Sequence, residues 1–274
     1  MSTSEAVSVL DVSDDGVRTF RTSAVGYDSH IGRYNSELAR GLIAVAGVQA
    51  GDRVLDVGCG TGLLTAELAK VVGAGNVTAV DPSEPFVAAC KQRVPGAEVR
   101  LAHAEELPLA AASVDRSLSQ LVLNFMSEPL AGVKEMRRVT APGGTVAACV
   151  WDYAGEMTML RLFWDAATSV DPPAAAVDEG RSMPYCQPDE LRALWTAAGL
   201  TDVVTGELNP SVRYTDFNEL WTPFEAGAGP SGAYTVSLDD AKQAAVRAEF
   251  YRLAGSPAGA FELTARAWSV RGRV

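Results

Sequence analysis

Three alternate glycines, Gly58, Gly60 and Gly62, follow the apolar run Arg53 to Val57, and Asp56 stands two residues before the first of them. Glycine is needed where a ligand must approach the backbone closely, because any side chain would obstruct it. A turn of this kind between a strand and a helix also suits the pyrophosphate of a dinucleotide, so the glycines alone do not choose the ligand. Two features do. The spacing is GxGxG rather than GxGxxG. A carboxylate at Asp56, if it faces the site, repels a pyrophosphate and attracts a ligand carrying an ammonium and a sulfonium. About twenty residues further on, Asp81 ends a second apolar run, a position from which a carboxylate accepts hydrogen bonds from both hydroxyls of a ribose. Together the motifs point to a positively charged ligand that contains adenosine.

Bringing these residues together requires a parallel sheet with helices between its strands. The middle of the chain has that pattern. Strands are expected at Arg53 to Val57, Val77 to Val80, Val99 to Ala102, Val114 to Leu123 and Thr145 to Trp151. Helices are expected at Leu63 to Val72, where Leu64, Leu68 and Val71 share a face, at Glu84 to Val94 and at Pro129 to Val139. Arg116 and Ser117 are unusually polar for a strand buried on both faces. Ala141-Pro142-Gly143-Gly144 reads as a turn. Beyond Trp151 the spacing predicts helices over Met157 to Val170, Asp189 to Ala198, Phe217 to Phe224 and Leu238 to Leu253, and strands near Asp202 to Glu207 and Phe261 to Val270. Asp171 to Gly180 and Ala226 to Gly232 look like loops. One domain is expected over 1–274, with a core at about 40–151 and cap segments at about 152–188 and 215–258.

In VLDVGCGTG, AVDPSE, HAEELPL and APGG the sequence resembles the class I S-adenosylmethionine-dependent methyltransferases, over about Tyr27 to Trp151. Within them it is most similar to the small-molecule branch that includes quinone-biosynthesis C-methyltransferases. The resemblance implies a Rossmann-like α/β fold with a seven-stranded, mostly parallel sheet, and S-adenosyl-L-methionine as cofactor. It implies that Asp56, Gly58 and Gly60 surround the methionine part of the cofactor and Asp81 with Pro82 the ribose, with Cys59 and Gly62 also in the cofactor site. By the same resemblance His103, Ala104 and Glu105 border the adenine, Ser119 and Gln120 close the floor, and Arg33 is a partner for the cofactor carboxylate. His103 stands where relatives have Asp or Asn, and a neutral imidazole still accepts one hydrogen bond.

Methyl transfer from a sulfonium is a direct displacement that needs alignment in a dry pocket more than a catalytic triad. The segment Ser119 to Asn124 lacks both the Asn/Asp-Pro-Pro-aromatic motif of amino-group base methylases and a cysteine nucleophile, and no metal-ligand cluster stands out. Acceptor contacts are expected from Tyr27, Tyr34, Asn124, Trp151, Tyr153, Trp221 and Phe224, with His30 as a general-base candidate because its unperturbed pKa lies near neutrality. A nicotinamide-dependent dehydrogenase and a non-enzymatic S-adenosylmethionine-binding protein are the competing readings. A net charge of −11 disfavours nucleic acid as a partner. Four widely spaced cysteines suggest reduced thiols, and no stretch has the length of a membrane span or the pattern of a signal peptide, so a cytoplasmic location is expected.

Overall fold

Alternation of short apolar runs with amphipathic stretches produces helix α1 (Asn35–Ala46), β1 (Val54–Val57), α2 (Leu63–Val72), β2 (Val77–Asp81), α3 (Glu84–Arg93), β3 (Glu98–Leu101), β4 (Val114–Gln120), α4 (Pro129–Val139) and β5 (Thr140–Trp151). The computed structural model describes residues 31–274; Tyr27 and His30 lie outside them. After β5 come α5 (Thr158–Val170), α6 (Pro188–Ala197), β6 (Thr201–Leu208), β7 (Ser211–Tyr214), α7 (Phe217–Glu225), α8 (Gly229–Ser237), α9 (Asp240–Leu253), β8 (Phe261–Thr264) and β9 (Ala267–Arg273).

The main sheet has seven strands in the order β3-β2-β1-β4-β5-β9-β6, with β9 antiparallel to both of its neighbours. Both faces of its centre are covered, and the period of two along each strand sorts side chains between two apolar layers. In β5, Ala147, Cys149 and Trp151 join the layer beneath α1, while Val146, Ala148 and Val150 join the layer beneath α4 and α6. Trp195 of α6 ties down the second layer by donating its indole N–H to the Val146 carbonyl at 3.0 Å.

The structure corrects several sequence expectations. On α2 the buried apolar set is Leu64, Leu68 and Val72, a spacing of four, whereas Val71 is exposed. Strand β4 stops at Gln120, because Leu121 turns left-handed (φ 63°) and a short 3-10 turn follows at Leu123–Phe125. Ala141 to Gly144 is not a separate turn before β5. It is an irregularity within the strand, which pairs Thr140 with Val114 and then resumes at Thr145 opposite Arg116. Part of the span expected to be a loop at Ala226 to Gly232 is the start of α8.

Phe261 to Val270 is two strands rather than one. β8 pairs with β7 in a separate two-stranded ribbon, and β9 enters the main sheet. The break is held at Arg266, whose guanidinium donates to a buried Asp152 oxygen at 2.6 and 3.0 Å, while the same carboxylate accepts from the N–H groups of Gly155 and Glu156. A buried carboxylate satisfied from four donors fixes a corner that hydrophobic periodicity cannot show.

Candidate functional site

At the carboxyl ends of β1, β2 and β4 lies a cavity of about 240 Å3. The strand order reverses between β1 and β4, which is where open α/β sheets bind ligands. The walls come from the turn after β1, the start of α3, the segment after β3, the end of β4 and the first residue of α1.

The glycine turn has two different tasks. Gly60 has φ +51°, and a Cβ built there meets no protein atom within 4 Å, so its missing side chain leaves open the space a ligand would occupy. Gly62 faces away from the cavity. Its Cβ would lie 2.8 Å from the Cys90 sulfur and 3.1 Å from the Cys90 Cα, at φ +87°, so it permits α2 to approach α3. Gly62→Ala is therefore expected to destabilise the chain by at least about 2 kcal/mol, from left-handed strain plus overpacking. Urea unfolding measures this, and an unchanged midpoint would refute the packing role.

Asp81 is tied to that turn. One carboxylate oxygen accepts the Gly60 N–H at 2.9 Å and the other accepts the Ser83 N–H at 2.9 Å. Burial raises its pKa, and the two backbone donors pull it back. Each oxygen keeps a second lone pair, the set that two ribose hydroxyls require. Asp56 is buried and accepts from the Thr65 hydroxyl at 2.6 Å. Burial pushes its pKa up to about 7 against the pull of the Thr65 hydrogen bond, with Cys90 and Asp81 adding to the rise.

Cys59, Pro82, His103, Ala104, Glu105 and Gln120 line the same cavity together with Asp56, Gly58, Gly60 and Asp81. Ser119 does not: it is fully buried and donates to the Val57 carbonyl at 3.1 Å, joining β4 to β1. Arg33 is also elsewhere. Its guanidinium pairs with Glu219 at 3.0 Å, donates to the Arg213 carbonyl at 2.9 Å and lies 4.5 Å from the centre of the Tyr214 ring.

The six described acceptor-contact candidates are core residues, and none lines the cavity. Tyr34 packs edge-on against Trp151 with centroids 5.8 Å apart, and its hydroxyl meets that of Tyr214 at 3.4 Å. Asn124 donates to the Pro184 carbonyl and the Cys186 sulfur. Tyr153 is buried, and Trp221 and Phe224 belong to an aromatic cluster in which Phe224 stacks on Phe163 at 4.6 Å. Sequence reasoning missed Asn35, Phe86, Leu121, Val122, Phe125 and Met126 in the wall. Asn35 alone carried a signal, as an amide on the buried face that α1 forms with Leu38, Ala39 and Leu42.

A family model described as a methyltransferase domain matches residues 55–148. Demethylmenaquinone methyltransferase of Staphylococcus aureus is 40% identical over 104 residues, covering 36% of this chain and 43% of that protein. A Schizosaccharomyces pombe protein named only as a methyltransferase is 31% identical over 132 residues, covering 41% of this chain and 48% of the other. The chain thus spans less than half the length of these curated relatives. A crystal structure from Anabaena variabilis, described as a methyltransferase from an antibiotic biosynthesis pathway, superposes with a TM-score of 0.56 at 18% identity, over 86% of this chain and 96% of that one. The matched segment contains the glycine turn, Asp81 and the strand order that frames the cavity. Residues 55–148 thus match a methyltransferase domain, set within a Rossmann-like fold.

Proposed function

We propose that the cavity binds S-adenosyl-L-methionine and that the chain transfers the cofactor's methyl group to a small-molecule acceptor. The observation that carries this reading is the bond between the Gly60 N–H and Asp81: the acid suited to a ribose is fastened to the turn that a ligand must approach most closely. The residues fit the group. Gly60 leaves the cradle open, Asp81 keeps two lone pairs, and among the described residues no lysine or arginine lines the cavity, which suits a cation. Likeness to an enzyme named for demethylmenaquinone supports a small-molecule acceptor.

When bound, S-adenosylmethionine supplies a methyl group on a sulfonium, open to direct displacement by a nucleophile. The chain's contribution is then alignment and the exclusion of water. Asp81 and the Gly60 turn hold the nucleoside, Phe125 and Met126 give the wall after β4 an apolar surface, and Asp56 supplies negative charge to the cation as it ionises. In this reading the segments 152–188 and 215–258 form the cap that selects the acceptor.

The raised pKa of Asp56 has a pH consequence with a definite sign. Below about pH 7 the carboxyl is largely protonated. A cation beside it favours the ionised form, so binding expels a proton and affinity rises as pH increases through about 7. The ligand-free chain responds in the opposite direction. The folded state holds this proton over the range where the unfolded state has lost it, so the stability contributed by Asp56 falls as pH rises from the ordinary carboxylate range to about 7. Calorimetric titration with S-adenosylmethionine on either side of this midpoint checks both binding and its pH dependence. Binding of NAD in its place would overturn the proposed function, and a flat pH profile would remove Asp56 from the cation's surroundings.

A further inference from the structure

Two of the four cysteines differ from the others. Burial pushes the thiols of Cys149 and Cys186 up, as for inert core thiols. Cys59 and Cys90 instead meet each other. Cys59 stands in the glycine turn after β1, Cys90 lies on α3, and the Cys59 S–H donates to the Cys90 sulfur. Both are held in place. The Cys59 N–H donates to the Val80 carbonyl at 2.9 Å, its carbonyl accepts the Gly62 N–H at 2.8 Å, and Gly62 packs on the Cys90 sulfur. That sulfur lies 3.5 Å from the Thr65 hydroxyl, which is bonded to Asp56 at 2.6 Å. Cys59, Cys90, Thr65 and Asp56 thus form one hydrogen-bonded line.

The bond from Cys59 draws the Cys90 thiol below its ordinary range against the effect of burial, with Thr65 and Arg93 adding to the fall. Cys90 is fully buried, whereas Cys59 is 6% exposed and lines the cavity. A reagent that reaches the pair through the cavity therefore meets Cys59 first, with Cys90 behind it as the resolving thiol. We propose that Cys59 and Cys90 form a redox-active dithiol that reacts with a hydroperoxide entering through the cavity. The Cys59 proton passes to the Cys90 sulfur, and the Cys59 thiolate attacks the terminal peroxide oxygen. The O–O bond breaks, and the leaving alkoxide or hydroxide takes a proton from solvent. Cys90 then attacks the sulfur of the resulting sulfenic acid: the S–S bond forms, the S–O bond breaks, and the hydroxyl leaves with the Cys90 proton as water. The two thiols lose two electrons and the peroxide gains them. The disulfide fastens the glycine turn to α3. The dithiol does not depend on the cofactor reading above; only its protection by a ligand does.

Peptide mapping tests it. The reduced full chain is treated with hydrogen peroxide, with and without S-adenosylhomocysteine, then alkylated and digested with trypsin without reduction. Cys59 and Cys90 fall in the separate tryptic peptides 54–70 and 71–91, so the disulfide appears as these two joined, and dithiothreitol parts them. With S-adenosylhomocysteine at about 100 times its calorimetric Kd, joining is expected to slow about tenfold or more, because only the empty cavity reacts. Cys90→Ala removes both the group that takes the Cys59 proton and the resolving sulfur. In that variant no joined peptide should form, and dimedone should label the Cys59 sulfenic acid slowly; the unaltered chain carries the test should the variant not fold. Absence of the joined peptide from the unaltered chain, or oxidation of Cys59 at an unchanged rate in Cys90→Ala, overturns the dithiol. Joining at the same rate with the ligand bound overturns entry through the cavity, and the proposal with it. A chain that forms the disulfide but binds no S-adenosylhomocysteine overturns the cofactor reading and leaves the dithiol standing.

Discussion

Phe224→Ala is expected to lower the stability of the chain by about 3–5 kcal/mol, the range for truncating a fully buried aromatic. Phe224 is stacked on Phe163 at 4.6 Å and stands edge-on to Phe250 at 5.5 Å, so its removal leaves a cavity between α5, α7 and α9 that the surrounding helices cannot close. Affinity for S-adenosylhomocysteine should be unaffected, because no part of this cluster lines the cavity at the ends of β1, β2 and β4. Trp221→Phe should cost far less. The Trp221 indole N–H is buried without an acceptor, and removing an unpaired donor offsets part of the lost contact. Thermal unfolding of the two variants with parallel ligand titrations decides the matter: a Phe224→Ala chain with an unchanged melting temperature would return this residue to the candidates for acceptor contact.

The largest effect on binding is expected at Asp81. In the proposed site, replacing it with alanine removes both carboxylate oxygens offered to the ribose hydroxyls, at about 1.5–3 kcal/mol for each bond lost. The loss of affinity for S-adenosylhomocysteine should therefore be tenfold at the least. It also leaves the N–H groups of Gly60 and Ser83 without their acceptor. Both residues line the cavity, where water can replace the lost bonds, so folding should survive. Asp81→Asn keeps one carbonyl oxygen and is expected to fall between the two. A folded Asp81→Ala chain that binds with unaltered affinity would exclude this residue from the site.

The parts of the fold that were legible are those governed by local periodicity. Strands β1 to β5 and the helices between them follow from apolar runs, glycines and prolines close in sequence, and so do the turn at Gly58 to Gly62 and the acid at Asp81. Local signals failed where a distant partner decides. Arg116 and Ser117 look wrong for a buried strand until the Ser117 hydroxyl is seen bonded to that of Thr140 at 2.7 Å, itself close to the Met136 carbonyl. The split between β8 and β9 depends on Asp152, far away in sequence. Tyr34, Trp151, Trp221 and Phe224 have the residue types of a binding pocket, but residue type cannot tell an aromatic that packs on other aromatics from one that faces a ligand. Asn35 was overlooked for the converse reason: its signal, an amide at helical spacing from Leu38, Ala39 and Leu42, was passed over for the aromatic residue types.

The position of β9 governs how the chain must be made. It follows β6 in sequence, yet it lies between β5 and β6, and among the described residues β6 joins the main sheet only through it. During synthesis β5 therefore leaves the ribosome with an unpaired edge, and β6 follows with no neighbour to join. Neither is satisfied until Ala267 to Arg273 has been translated and has inserted itself between them. Contacts of such long sequence separation form slowly, and an open apolar edge is the kind of surface that pairs with other chains in the meantime. The hazard for the nascent polypeptide is therefore intermolecular strand pairing at β5, in the interval before β9 arrives.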